Sequence, residues 1–459
     1  MRAPSRYEGL PTCLLASYSA GGRHSVRNSA NNSWNVNLNN GNLNNNNTNN
    51  RNYCVGSSES CLDADEWFAA LRSFYKNKHD SLGAQRLVIH PSRVLRVARR
   101  VASGTYRPQP GYRFPITEPS PREIYAAFCE DRLVHHYVAP FISAVAEAVH
   151  AANGNVSHGN RVGHSAHTGA EQISGAVSAL GNAGEPYIAK VDIASFFASI
   201  PRAKACEVLE QYARQYYHGA DLEEKLGVCR ILILHDPTKG CIELPGNWAA
   251  VPARKRMGSL GEGRGLPIGN FYSQLVANLI LAELDAALLP FGVCPRFVDD
   301  KVIVAKDKRT AIDAVKAAWT AVEALGLTMH PDKLYIQPAH RGVNFCGRTV
   351  KGRRVYISNR TLRSAFRRVR ECRPGENGAR RACASANSYL GLLRHCTERR
   401  NEQRLADAVL NKYGSSLYFV IKAGHFICRV KRAFTSRFQH MAAIAALIKR
   451  YRRIALCPA

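Results

Sequence analysis

At 459 residues the chain can hold two or three domains, each with a proper core. Its 46% apolar content and mean hydropathy of −0.25 exclude a wholly disordered chain and a membrane bundle, and leave a globular protein. The 63 Lys+Arg exceed the 35 Asp+Glu by 28, and a charge that repels itself in the compact state makes sense when the partner is a polyanion, nucleic acid before a membrane surface.

Residues 1–60 stand apart from the rest. From Asn31 to Asn52, 14 of 22 residues are Asn, too polar to bury the surface that would offset ordering entropy, so this segment is expected to be disordered. From Leu62 the pattern turns helical, with Trp67, Leu71 and Tyr75 four apart. Pro91 to Val101 reads as a basic amphipathic helix with proline in its first turn. Tyr106 to Pro121 is rich in turn formers and reads as an extended loop or hairpin, and Ala126 to Val149 as a helix broken or kinked at Pro140. Tyr187 to Ile193 is a strand-like run, Phe271 to Leu289 a long apolar helix, and Phe297 to Ala305 two short strands around a tight turn. Ala311 to Leu325 reads as a helix, Val343 to Val350 with Val355 to Ile357 as a hairpin, and everything after Asn359 as Arg-rich helices. The fold class is α+β, a small antiparallel sheet surrounded by helices. None of the 14 Cys falls in a CxxC pair, which speaks against zinc and for buried thiols in a reducing compartment. With no signal-like N-terminus and no apolar run of membrane-spanning length in the pattern, the expected place is the cytoplasm, with no membrane partner.

The chemistry begins at Phe297-Val298-Asp299-Asp300. Two adjacent acids at a hairpin tip repel by about 4 kcal/mol at ~4 Å and an effective dielectric near 20, a cost that a divalent cation reverses. A lone Asp-Asp turn is more often simply solvated. Here Lys190-Val191-Asp192-Ile193 puts another carboxylate at the end of a strand about a hundred residues earlier, with Phe197 close behind. Three carboxylates from two neighbouring strands can hold two Mg²⁺ about 4 Å apart for phosphoryl transfer. Between the acid sites, Gly265 to Gln274 places glycines at a helix entrance, where the backbone can approach an anion closely.

The order Asp192…Phe197, Gly265 to Gln274, Phe297-Val-Asp-Asp300 and Asn344-Phe-Cys-Gly347 resembles the palm motifs of reverse transcriptases. The resemblance implies a right-hand polymerase fold with fingers, palm and helical thumb, acting as an RNA-directed DNA polymerase with two Mg²⁺ (Mn²⁺ as substitute), dNTPs, template RNA and a DNA primer or cDNA. Asp192, Ile193, Asp299 and Asp300 would hold the metal. Lys333, in His330-Pro-Asp-Lys, would give a proton to pyrophosphate. Ile193, Phe197, Ile268, Gly269, Ser273 and Gln274 would line the nucleotide pocket, with Phe197 rejecting a 2′-hydroxyl. Arg161 and Gly163, in Asn160-Arg-Val-Gly-His164, would touch the triphosphate, although Val162 stands where the family commonly has Lys. Phe345, Cys346 and Gly347 would form the primer grip. Pro121-Arg-Glu-Ile124 and Asp131-Arg-Leu-Val-His-His136 look like fingers motifs. The implied division is 1–60, 61–185 (N-terminal helices and fingers), 186–350 (palm, with an insertion at about 206–262) and 355–459 (thumb and tail).

Within that family, Ile268-Gly269 with Ser273-Gln274, the thumb segment Ser388 to His395 and the stretch Leu62 to Pro108 most resemble reverse transcriptases of diversity-generating retroelements. Those copy a template repeat with errors at adenine, and a small basic accessory protein is expected at their side. The Asn tract resembles the end of their variable target proteins, so that either the frame runs in from template-repeat sequence, a shorter product then needing a non-Met start codon such as that of Val55, or the tract is an Asn-rich flexible tail. The alternatives are a retron, group II intron-like or phage-defence reverse transcriptase, and a non-catalytic RNA-binding protein of polymerase shape.

Overall fold

The computed structural model describes residues 64–431 apart from 77, 79, 80, 118, 119, 373–375 and 398, so the expectations for 1–60 and for the tail 432–459 lie outside the described residues. Three helices open it: α1 (Ala64–Tyr75), α2 (Leu82–Ile89) and α3 (Pro91–Ala102). The apolar stripe read from the sequence is buried, and Trp67 stacks on Tyr137 with ring centroids 4.0 Å apart. Their partner is α4 (Cys129–Ala152), which runs unbroken through Pro140. A proline inside a helix costs about 3 kcal/mol. Here it sits on the exposed face, while Leu133, Val134, Val138, Ile142 and Val145 on the other face are fully buried. Core packing overrides the expected break.

The Pro-rich stretch resolves into a hairpin, β1 (Tyr112–Ile116) with β2 (Arg122–Ala126). A two-residue strand, β4 (Ile242–Glu243), pairs with β1 in parallel, which docks the insertion between the acid motifs onto this hairpin. The insertion's helices α7 (Arg202–Tyr216) and α8 (Leu222–Leu234) pack on each other and on α4.

The sheet that matters for function has four antiparallel strands in the order β5-β6-β3-β7: Arg296–Phe297, Asp300–Ala305, Tyr187–Val191 and Tyr335–Pro338. Alternation gives it two faces. Ala189, Val191 and Ile303 join the main core with α9 (Phe271–Ile280) and α11 (Lys308–Ala324). Ile188, Val302 and Val304 join a second core with α5 (Ala166–Gly181) and the next hairpin. The apolar stretch expected as one helix is two, α9 and α10 (Ala282–Leu288), joined at Leu281. Contrary to the sequence expectation, the stretch Phe271–Phe291 is long and apolar enough to cross a membrane; it is mostly buried, with Val276, Ala277, Leu279 and Leu281 wholly enclosed. It is the central core element.

Strands β8 (Val343–Phe345), β9 (Arg348–Lys351) and β10 (Arg354–Ile357) form a three-stranded meander. Beyond it, α12 (Asn359–Glu371), α13 (Glu376–Leu393) and α14 (Arg400–Tyr413) share a separate core. The all-helical expectation for this region fails at 417–430, where β11 (Leu417–Lys422) and β12 (His425–Val430) form a hairpin against α13 and α14. Leu-Tyr-Phe-Val-Ile is strand-prone, and its turn at Ala423-Gly424 has both φ positive, as a two-residue hairpin demands.

Candidate active site

Strand β3 lies against β6 with Val191 opposite Lys301, so the next pair outward is Asp192 with Asp300. Strands β5 and β6 pair Phe297 with Asp300, leaving Val298-Asp299 as the turn, Val298 at φ 58°. The three predicted acids therefore meet at one sheet end. Past Asp192 the chain stays tethered: His330 N–H donates to the Asp192 carbonyl, and Ala194 N–H to that of Thr328, which brings His330-Pro-Asp-Lys333 alongside.

The acids are not equivalent. Lys333 forms an ion pair with Asp192, and the Lys190 ammonium donates to Asp300 Oδ1 at 2.6 Å. Asp300 Oδ2 accepts from the Cys346 amide at 3.1 Å. Among the described residues no cation lies within ion-pair distance of Asp299, and burial, then the charges of Asp192 and Asp300, raise its carboxyl to about 6. With two acids turned toward lysines, no three His, Cys, Asp or Glu side chains among the described residues stand as a ready ligand set. The donor chemistry nevertheless fits a hard divalent cation: three carboxylates on adjoining backbone positions, one of them short of positive charge. Around them lie more cations. Arg122 on β2 feels the Asp299 charge, and Lys255, from the insertion, faces both Arg122 and Lys333. Burial and these like-charged neighbours lower Lys255, which has no carboxylate partner among the described residues.

Beneath the acids lies a second cluster that the sequence reading missed. Arg296 and Lys301, cross-strand partners flanking the acid turn, both reach Asp285 of α10, with N···O of 2.5 Å each. Arg296 also donates to Asn278 Oδ1 and to the Val298 carbonyl, and Asn278 donates to the Gly159 carbonyl. All four side chains are at most 2% exposed. Charged residues alternating with Phe297 and Asp300 were the available signal, because the side of the strand opposite Asp300 must be core.

Other predicted residues divide. Phe197, on the single turn α6 (Phe196–Ser199), accepts the Leu266 N–H at its carbonyl and so abuts the Gly265 to Gln274 element. Ile193 is 3% exposed, so only its backbone can face the acids. Gly269 adopts φ 118°, as a glycine there permits, and Ile268 packs on the β1–β2 hairpin beside Phe114 and Ile124. Gln274 is exposed, but Ser273 is wholly buried and has no surface to offer a nucleotide. Arg161 is likewise a correction: its guanidinium is spent on Glu147, Asn155 and the Ser157 carbonyl, and its side chain is 4% exposed. Gly163, at φ 78°, is exposed and makes no close approach. Phe345 is buried against Gly169, where a β-carbon would stand 2.7 Å from its ring. Cys346 and Gly347, at φ 47° and 78°, form the tight turn between β8 and β9. Cys229, Cys294 and Cys428 are buried thiols.

Residues 119–350, half of the chain, match the family model described as reverse transcriptase (RNA-dependent DNA polymerase). Solved structures that match include apo telomerase from Candida tropicalis truncated from the C-terminal domain (13% identity, 55% of this chain and 56% of that one, TM-score 0.42). Another is telomerase from Candida albicans in complex with a fragment of telomeric RNA (12% identity, 71% and 58%, TM-score 0.44). The chain thus spans little more than half the length of these structures. No curated protein matches it.

Proposed function

The chain belongs to the reverse transcriptase (RNA-dependent DNA polymerase) family, and from that membership we propose that it copies RNA into DNA at the sheet end carrying Asp192, Asp299 and Asp300. The observation that carries this is the β3–β6 register, which brings Asp192 level with Asp300 beside Asp299, whose carboxyl is raised to about 6 by burial and the charges of those two acids. Asp192, Asp299, Asp300 and the Ile193 carbonyl would hold Mg²⁺, which supplies charge neutralisation for the attacking hydroxyl and the departing pyrophosphate. The chain's own residues do the rest. Lys333, exposed beside Asp192, would give a proton to the pyrophosphate oxygen. Arg122 and Lys255 offer the triphosphate the positive charge that Arg161 cannot. Phe197 stands next to Gly265 to Gln274 as a floor for the incoming sugar.

The template–primer duplex would meet the exposed arginines of α12: Arg360, Arg363, Arg367 and Arg370 recur at three- and four-residue spacing on one face and suit a phosphate backbone. The finer reading is a diversity-generating retroelement enzyme of the cytoplasm with a small basic accessory protein. It is supported by Ile268-Gly269, the segment Ser388 to His395 and the Asn tract. The test is primer extension on a defined RNA, followed by sequencing of the cDNA. Product from the wild type and none from Asp299→Ala with Asp300→Ala is expected; equal product from both would end the polymerase reading. Errors concentrated opposite template adenines are expected of the finer reading, and evenly spread errors would point to a retron, group II intron-like or phage-defence enzyme.

A further inference from the structure

Resting on the polymerase reading, we propose that Lys190 is a positioning residue that couples the acid trio to the β8–β9 hairpin, so that the hairpin's place sets where the Asp300 carboxylate stands. Lys190 lies on β3 two residues before Asp192, opposite Val302, so alternation puts its side chain on the acids' face, diagonal to Asp300. Only 15% of the side chain is exposed. One ammonium serves two elements there. It donates to Asp300 Oδ1 at 2.6 Å and to the Asn344 carbonyl, in β8, at 2.5 Å.

The other carboxylate oxygen closes the loop. Asp300 Oδ2 accepts the Cys346 amide of the same hairpin at 3.1 Å. Asp300 and Lys190 therefore grip the hairpin on both sides of Phe345, at the carbonyl of residue 344 and the N–H of residue 346. The hairpin has little freedom of its own. Its turn, Cys346-Gly347, is a two-residue turn with both φ positive, and Phe345 is locked into the space that Gly169 leaves. Any shift of the hairpin must then move Asp300, and any shift of Asp300 must move the hairpin. Neither Asp192 nor Asp299 has such a link among the described residues.

A second, blander role is open to an ammonium in this place: offsetting the mutual repulsion of three acids. The two roles part on measurement. Removing the charge in Lys190→Met leaves the acids more negative, so both predict that Mn²⁺, followed by electron spin resonance of the free ion without primer or nucleotide, binds as tightly as in the wild type or more tightly. Positioning further predicts that the KM for primer–template rises about tenfold and kcat falls, because a misplacement near 1 Å is costly at a reacting centre. Lys190→Arg, which keeps the charge and two donors, should restore the KM to within about threefold of the wild type. An unchanged primer KM in Lys190→Met overturns the proposal and leaves charge offset alone. Weaker Mn²⁺ binding together with a lowered thermal midpoint overturns it as well, in favour of a merely structural side chain. If Lys190→Met does not fold, Lys190→Ala, which likewise removes both the charge and the donors, carries the same comparison. Absence of cDNA from the wild type would sink the polymerase reading itself, and that control is read before any variant.

Discussion

Two charged clusters sit on opposite sides of one hairpin, one residue apart, and they are built on contrary principles. Below it, Arg296, Lys301 and Asn278 surround Asp285 in a closed, buried network. Above it, Asp192 and Asp300 are only partly buried, and Asp299 lacks an ion pair among the described residues. In the lower cluster, two cations and several donors hold one carboxylate far below its ordinary range despite full burial. In the upper one, burial and like charge raise a carboxyl. A satisfied buried network fixes geometry, whereas an unsatisfied one stores an appetite for a ligand. The hairpin needs both: a rigid underside so that the upper side can remain strained.

The sharpest break in that comparison comes from the upper cluster. Asp299→Asn is expected to lower primer extension by about a thousandfold or more, as loss of a main charge-holding group at a reacting centre does. It should leave the thermal midpoint unchanged or raise it, because the charge removed is one the fold disfavours. A large loss of stability would show Asp299 to be structural. The lower cluster should behave the opposite way. Asp285→Asn strands two buried cations and is expected to cost about 3–5 kcal/mol, read as a shift in the urea midpoint. An unshifted midpoint would mean that the network is no clamp.

Next in size is a pH effect. In the metal-free protein the Asp299 carboxyl is raised to about 6, so between its ordinary range and about 6 the fold keeps a proton that the unfolded chain has lost. Its contribution to metal-free stability thus falls as pH rises through about 6. Metal and proton compete for the same oxygens, so the Mg²⁺ needed for half-maximal extension should climb about tenfold per pH unit below about 6. A requirement that stays flat from pH 7 to 5.5 would remove Asp299 from the metal site. The smallest effect belongs to Lys301→Met. Asp285 keeps Arg296, an apolar chain of similar length fills the space, and stability should change by about 1 kcal/mol or less. A larger loss would show that both cations are required.

Much of the candidate site's geometry was legible in the amino acids. Asp192, Asp299, Asp300 and Lys333 lie together because strand-like runs ending in acids and a two-residue turn leave few other registers. Arg161 and Ser273 misled for one reason. A residue's type and its distance from a motif do not say which way it faces, and both face inward, Arg161 onto Glu147 and Ser273 into α9's buried side. Lys190 escaped notice because a lysine beside a strand acid looks like an ordinary solvated neighbour until β8 is seen to bring Asn344 against it.

The sequence alone determined most of the elements and the acids, because period-two and helical apolar patterns, turn-forming pairs and adjacent carboxylates are properties of neighbouring residues. Pro140 within an unbroken helix and the Arg296–Asp285–Lys301 cluster were settled only by tertiary contact. Burial energy there comes from partners distant in the chain, and it outweighs local preference.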